Sequence, residues 1–236
     1  MTDLLFSPAL IMIVSGVIML AGQRHVRDLL TVVAPLLTLI YIWMIDDGQF
    51  AAHQFMGYEL LTVFVHPYTH IFATVFAIAA LGGGIFAMNA NRGKELGSAF
   101  IYAGGAIGVT FAGDFLTFFI YWELMAIAST AVIWCAGGEQ AKAAGLRYAI
   151  MHFLGGVLLM AGIAAHVGAT QVIMLPEFNL IADKWLWTST LYSTDLDASS
   201  IGVWLIFTGI LVNVAAPPFS SWLSDAYPES TPTGMV

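Results

Sequence analysis

Charge is what this sequence lacks. Of 236 residues, 7 are Lys or Arg and 15 are Asp or Glu, 9% in all, where a soluble domain carries about 25%. A chain with so few charged groups does not build a water-facing surface, and 59% of it is hydrophobic, the composition of an integral membrane protein. The basic residues form no cluster, which excludes a nucleic-acid partner. The net charge of -8 is confined to short segments between apolar runs and says little about partners. Cysteine is nearly absent as well. Cys135, beside Trp134, has no second thiol for a disulfide or a metal site and reads as a small buried hydrophobe. A nucleotide-binding loop, a flavin site and an iron–sulfur ligand set are all missing, so the chain is expected to hold no cofactor and to perform no redox chemistry itself. The first apolar stretch has no basic leader and ends in Gln23-Arg24 instead of a small-residue cleavage site, so it is expected to be a retained span.

What is present in abundance is long apolar runs. A helix crossing the hydrocarbon needs about 20 mostly apolar residues, and seven such runs stand out, at approximately 4–22, 29–45, 68–89, 97–113, 115–136, 144–168 and 199–216. Only Gly113-Asp114 divides the fourth from the fifth, but 97–136 is too long for one straight span. The basic residues test the count. Arg24 and Arg27, Arg92 and Lys94, and Lys142 and Arg147 fall in the loops after spans one, three and five; Lys184 alone falls opposite. By the positive-inside rule the N-terminus is expected outside and the C-terminus in the cytoplasm of a multi-pass cell-membrane (inner or plasma membrane) protein. Segments 46–67 and 169–198 then lie outside. Their acidic residues, Asp46, Asp47, Glu59, Glu177, Asp183, Asp195 and Asp197, are read as those of ordinary solvated loops, because their spacing fits no coordination site.

Ionisable groups inside spans are costly and mark function. Glu123 lies near the middle of the fifth span, more than a turn from either end. His152 and His166, fourteen residues apart on the sixth, share a helical face; His152 is a candidate relay, with an ordinary interfacial histidine as the alternative. His66 and His70 have i,i+4 spacing but no third ligand, so no metal site is expected. Span seven carries Asn213 and runs into Pro217-Pro218, which either breaks a helix along a transport path or simply ends the span. The glycines within spans, Gly82 to Gly84, Gly104, Gly108, Gly155 and Gly156, indicate close helix packing.

Two strings carry a family likeness. Phe115-Leu116-Thr117-Phe118-Phe119-Ile120-Tyr121-Trp122-Glu123-Leu124-Met125 resembles the fifth helix of the antiporter-like membrane subunits shared by respiratory complex I, membrane-bound hydrogenases and Mrp-type sodium/proton antiporters. Pro218-Phe219-Ser220-Ser221-Trp222-Leu223-Ser224-Asp225-Ala226 resembles the segment after helix seven of the same family, and Arg147-Tyr148 its basic-Tyr start of helix six. The resemblance implies an all-α integral membrane fold of about fourteen helices with two inverted repeats, of which this chain has about seven and most of the first repeat. It divides the chain into helices one to three at 1–96 and helices four to seven at 97–236. It further implies translocation of protons, or of sodium against protons, along a polar axis of buried Glu and Lys residues within a multi-subunit complex. Glu123 matches the family's proton-carrying glutamate. Asp114, Arg147, Pro217, Pro218, Trp222 and Asp225 fall at its structural or path-lining positions.

Two positions depart from the pattern: Asn213 stands where the family has a lysine, and Ser220 where it has a histidine. The sequence also stops at Val236, before an eighth helix, which implies a second membrane chain supplying the remaining helices; a segment of a longer polypeptide fits equally. Other hydrophobic subunits, the lipid bilayer, protons and, as an open choice, Na+ complete the expected partners. Two readings compete: an ion-translocating subunit of an Mrp-like antiporter, and a pumping or merely structural membrane-arm subunit of a complex I-like dehydrogenase or hydrogenase, with pumping lost through Asn213. A seven-helix photoreceptor is dismissed, since span seven lacks the lysine a retinal Schiff base needs.

Overall fold

A computed structural model describes residues 6–48, 50–66, 68–88, 93–175 and 198–233, with the side chains of 198–200 left aside. Leu4 and Leu5 at the start of the first expected span, Pro67, Arg92, Glu177, Asp183, Lys184, Asp195 and Asp197 lie outside the described residues. Each of the seven expected spans corresponds to a helix: α1 (Ala9–Ala21), α2 (Arg24–Met44), α3 (Thr69–Ala87), α4 (Gly93–Phe111), α5 (Phe115–Trp134), α6 (Gly138–Thr170) and α7 (Ala198–Asn213). A short α8 (Ser221–Glu229) follows the prolines. By length and composition α2, α3, α5 and α6 are sufficient to cross a membrane, while α1 and the Ile201–Asn213 part of α7 are shorter apolar helices. Lys94 and Glu95 open α4 ahead of its apolar body.

The division at Asp114 has a clear cause. Asp114, in extended backbone, caps α5: its Oδ1 accepts from the Thr117 amide at 2.8 Å and its Oδ2 from the Thr117 hydroxyl at 2.7 Å. Its neighbours are held from outside, Gly113 N donating to Leu61 O and Phe115 N to Ile173 O. A carboxylate that satisfies the first-turn donors starts a new helix. Between α5 and α6 the chain reverses through Gly137 and Gly138, at φ of +78° and +82°, a left-handed pair open to glycine without strain.

Segment 46–67 is not the plain loop expected. It contains an antiparallel hairpin, β1 (Phe50–Phe55) and β2 (Tyr58–Phe64), closed by Met56-Gly57 with both φ angles positive, +49° and +87°. That backbone suits a two-residue hairpin turn, but Met-Gly lacks the usual Asn-Gly or Asp-Gly signal. Val63 and, just beyond the strand, Val65 are buried, so the segment covers one end of the bundle.

α1 packs on α4 at a close crossing, where a Cβ on Gly16 would meet Gly97 O at 2.6 Å and one on Gly97 would meet Gly16 O at 2.8 Å. Phe100, Ile107 and Phe111 of α4 form the centre of this first core with Met12 and Met19. A second core, built on Phe115, Leu159, Ile163, Val167 and Ile206, joins α5, α6 and α7. The outer faces stay apolar and exposed, as at Ile40, Ile78 and Val157, which suits contact with lipid or with neighbouring helices.

Candidate functional site

The polar residues of the second half converge on α6, and two adjacent glycines make room for them. A Cβ on Gly156 would overlap Glu123 Oε1, with Cδ at 2.8 Å and Oε2 at 3.1 Å. A Cβ on Gly155 would overlap the end of the Asn213 carboxamide, with its carbon at 2.7 Å. The carboxylate from α5 and the carboxamide from α7 therefore rest on consecutive residues of the helix between them. Glu123 Oε1 is buried and has no hydrogen-bond partner among the described residues. A buried polar oxygen without a partner is costly and rare in a purely structural role.

Asn213 is engaged on both sides. Oriented to suit its neighbours, its nitrogen donates to the His152 carbonyl at 3.2 Å and its oxygen accepts from Trp122 Nε1 at 2.5 Å. One neutral side chain thus ties α7 to α5 and α6. Where the family pattern has a cation, this chain has a hydrogen-bonded bridge.

His152 is buried one turn after Tyr148, facing its carbonyl through Nδ1 at 3.2 Å. A carbonyl only accepts, so Nδ1 carries a hydrogen and, in the neutral ring, Nε2 keeps its lone pair. The ring stacks on Tyr148 at 3.9 Å and meets the edge of Trp222 at 4.6 Å. Trp222 donates from Nε1 to Val212 O at 3.0 Å, fixing α8 beneath the end of α7. Tyr148 donates to Ser129 Oγ at 2.8 Å, and Ser129 donates to Met125 O at 2.7 Å, leading back to α5.

The remaining expected residues have distinct places. Asp114 is wholly buried as the α5 cap, well apart in sequence from Glu123. Arg147 and Asp225 form a two-pronged pair, at 2.5 Å and 2.8 Å, joining α6 to α8 at a partly exposed edge. Arg147 beside it holds the Asp225 carboxyl below the usual carboxylate range, chiefly through these hydrogen bonds. Pro217 and Pro218 lie in the turn between α7 and α8, so α7 stops at Asn213 and a short helix resumes at Ser221. His166 is buried against Phe115, its Nδ1 without a partner among the described residues. His70 faces Ile45 O at 2.8 Å and the Asp47 carboxylate at 3.2 Å, which ties α3 to the segment after α2. Among the described residues no group of three His, Cys, Asp or Glu is placed to hold a metal ion.

Sequence reasoning missed Glu95. It sits in the first turn of α4 next to Lys94, which reads as a solvated loop end, yet it is buried and accepts from the Thr231 hydroxyl at 2.6 Å and from Thr233. Trp122 was legible only as part of a motif; its indole donor becomes meaningful once α7 lies opposite.

Residues 112–236 match the family described as NADH:quinone oxidoreductase/Mrp antiporter, TM. NADH-quinone oxidoreductase subunit N of Desulforamulus reducens is 30% identical over 177 residues, 70% of this chain and 35% of that protein. A chain in the structure of the Mrp complex from Dietzia sp. superposes with a TM-score of 0.75 at 18% identity, over 97% of this chain and 44% of its own length. One in respiratory complex I from Thermus thermophilus with bound aureothin gives 0.71 at 18%, over 96% and 48%. This chain thus spans half or less of the length of each, and the two structures show a shared fold. Together with the mostly helical membrane architecture, the match over residues 112–236 is decisive: the chain belongs to the NADH:quinone oxidoreductase/Mrp antiporter transmembrane family.

Proposed function

We propose that this chain translocates ions, protons or sodium against protons, within a multi-subunit membrane complex of the Mrp or complex I-like type, and that Glu123 is the proton-carrying carboxylate. The observation that carries this reading is Oε1 of Glu123, without a hydrogen-bond partner among the described residues and held against Gly156 inside the α5–α6–α7 layer. A carboxylate with an unsatisfied oxygen accepts a proton or a cation there without first breaking a hydrogen bond. His152, with Nε2 available to accept, is the second relay group, and Asn213 with the Pro217-Pro218 turn borders the path. The further helices of the fold, on this polypeptide or on another, complete it, and the termini keep the orientation expected from the basic loops, N-terminus outside.

A second reading has its own support. Asn213 is satisfied on both sides by Trp122 and His152, as a structural tie would be, which favours a membrane-arm subunit that positions its neighbours without pumping. Glu123→Gln separates the two. Replacement in the assembled complex abolishes ion movement with assembly intact if Glu123 carries protons; native transport by that variant refutes the translocation reading in favour of the structural one.

A further inference from the structure

Trp122 precedes Glu123 on α5 and reaches across to the end of α7, where its Nε1 donates to the Asn213 oxygen at 2.5 Å. Its ring packs on Phe118, one turn earlier on the same helix, with centroids 5.1 Å apart. The Asn213 nitrogen donates to the His152 carbonyl at 3.2 Å. A carboxamide is planar, so holding its oxygen and one N–H also fixes where the second N–H points. Asn213 is buried against Gly155, and Glu123 lies against the next residue, Gly156. A group with two N–H donors therefore sits beside a carboxylate whose Oε1 is buried and has no hydrogen-bond partner among the described residues. Hydrogen bonds to ionised acceptors are stronger than those to neutral ones, so an amide free to turn would prefer the carboxylate to a helix carbonyl. Here it is prevented from turning.

We propose that Trp122 is a positioning residue: by holding the Asn213 carboxamide against the His152 carbonyl, it keeps that amide off Glu123 and leaves Oε1 open to the transported ion. The proposal rests on the translocation reading above and names what sets the state of its carboxylate. An indole N–H donates and cannot accept, so it captures only the oxygen end of the amide and thereby fixes which way the amide faces, nitrogen toward α6. A phenyl ring at 122 would fill much of the same space but leave the amide oxygen unheld. The carboxamide would then be free to rotate about its own bonds and donate to Glu123 Oε1, and an arriving proton or cation would first have to displace that bond. Asn213 thus acts through its orientation, and Trp122 through Asn213; neither carries the ion.

Two measurements on the complex isolated from its membrane test this. In liposomes holding pyranine, with a potassium diffusion potential set by valinomycin, Trp122→Phe is expected to lower proton flux about tenfold or more. Adding Asn213→Leu, which keeps a similar volume but has no N–H, is expected to restore most of the lost flux, because the quenching donor is gone. A brace between helices would behave in the opposite way, since removing the second half of a tie does not repair it. The infrared carbonyl stretch of protonated Glu123, identified as the difference band that Glu123→Gln removes, gives the second readout. It is expected at the frequency of a carboxyl without a hydrogen bond, to fall in Trp122→Phe and to return in the double variant. Native flux in Trp122→Phe, a loss that persists in the double variant, or a band that does not move overturns the positioning role; with flux lost in Glu123→Gln, the ion site itself then stands. Native flux in Glu123→Gln overturns the translocation reading.

Discussion

Adding one methyl group at Gly156 should damage function far more than stability, and the same change six residues on should do the opposite. In Gly156→Ala the three atoms nearest the new Cβ all belong to the end of the Glu123 side chain, with Oε1 in overlap and Cδ at 2.8 Å. Ordinary carbon contact begins near 3.5 Å, so Cδ must retreat by about 0.7 Å and the overlapping Oε1 by more, which a flexible side chain does by rotation. Crowding is then offset by the helix preference of Ala over Gly, about 1 kcal/mol, and net stability should change by less than about 1 kcal/mol. Misplacement of a reacting group by about 1 Å costs up to about 100-fold in rate, so ion flux should fall at least tenfold. In Gly162→Ala the Cβ meets backbone instead, Ile206 N at 2.5 Å and Gly202 O at 2.7 Å on α7. Helices must part there, at about 1–3 kcal/mol. Thermal unfolding of the detergent-purified complex and proton flux in liposomes, measured on both variants, give the comparison. Native flux in Gly156→Ala, or a loss of stability equal to that in Gly162→Ala, would refute the reasoning.

Other perturbations probe the supports of the site. Asp114→Ala removes the acceptor for the Thr117 amide and hydroxyl and should destabilise by about 1–2 kcal/mol, with Asp114→Asn close to native in the same unfolding assay. Trp122→Phe deletes the indole donor to Asn213; a loss of about 1 kcal/mol is expected, together with wider α5–α7 separation by spin-label distances, and an unchanged distance would show the bridge to be dispensable. The Arg147–Asp225 contact should follow pH in one direction only. Because the folded Asp225 carboxyl titrates below its usual range through Arg147, its contribution is complete above the unfolded value of about 3.9 and fades as pH falls through the lowered one. Cross-linking between α6 and α8 should therefore be constant from neutral pH to about pH 5, and loss near pH 6 would contradict the assignment.

The helices were legible because their signal is local. Runs of apolar residues, the basic residues between them and the Gly113-Asp114 break depend on hydrophobicity and capping, which act within a few residues along the chain. Glu123 stood out for the same reason, as a carboxylate more than a turn inside an apolar run. The hairpin at Phe50–Phe64 was not legible, since its Met56-Gly57 turn carries no strong turn residue and its burial depends on the bundle end it covers. Glu95 was hidden by its neighbour Lys94, because a helix start beside a basic residue looks solvated until α8 and the segment after it fold over.

The sequence by itself determined an integral membrane bundle with seven apolar helices, their limits to within about six residues, and the one carboxylate in the middle of a span. Only the tertiary structure decided what surrounds that carboxylate. Gly155 and Gly156 read as generic packing residues until α5 and α7 approach α6 from either side and place Glu123 and Asn213 on consecutive positions. Asn213 reads as a missing cation until Trp122 and the His152 carbonyl are found at its two ends. These contacts join residues tens of positions apart, and helix-to-helix distances, not periodicity along one helix, set which polar atoms find partners and which, like Glu123 Oε1, find none among the described residues.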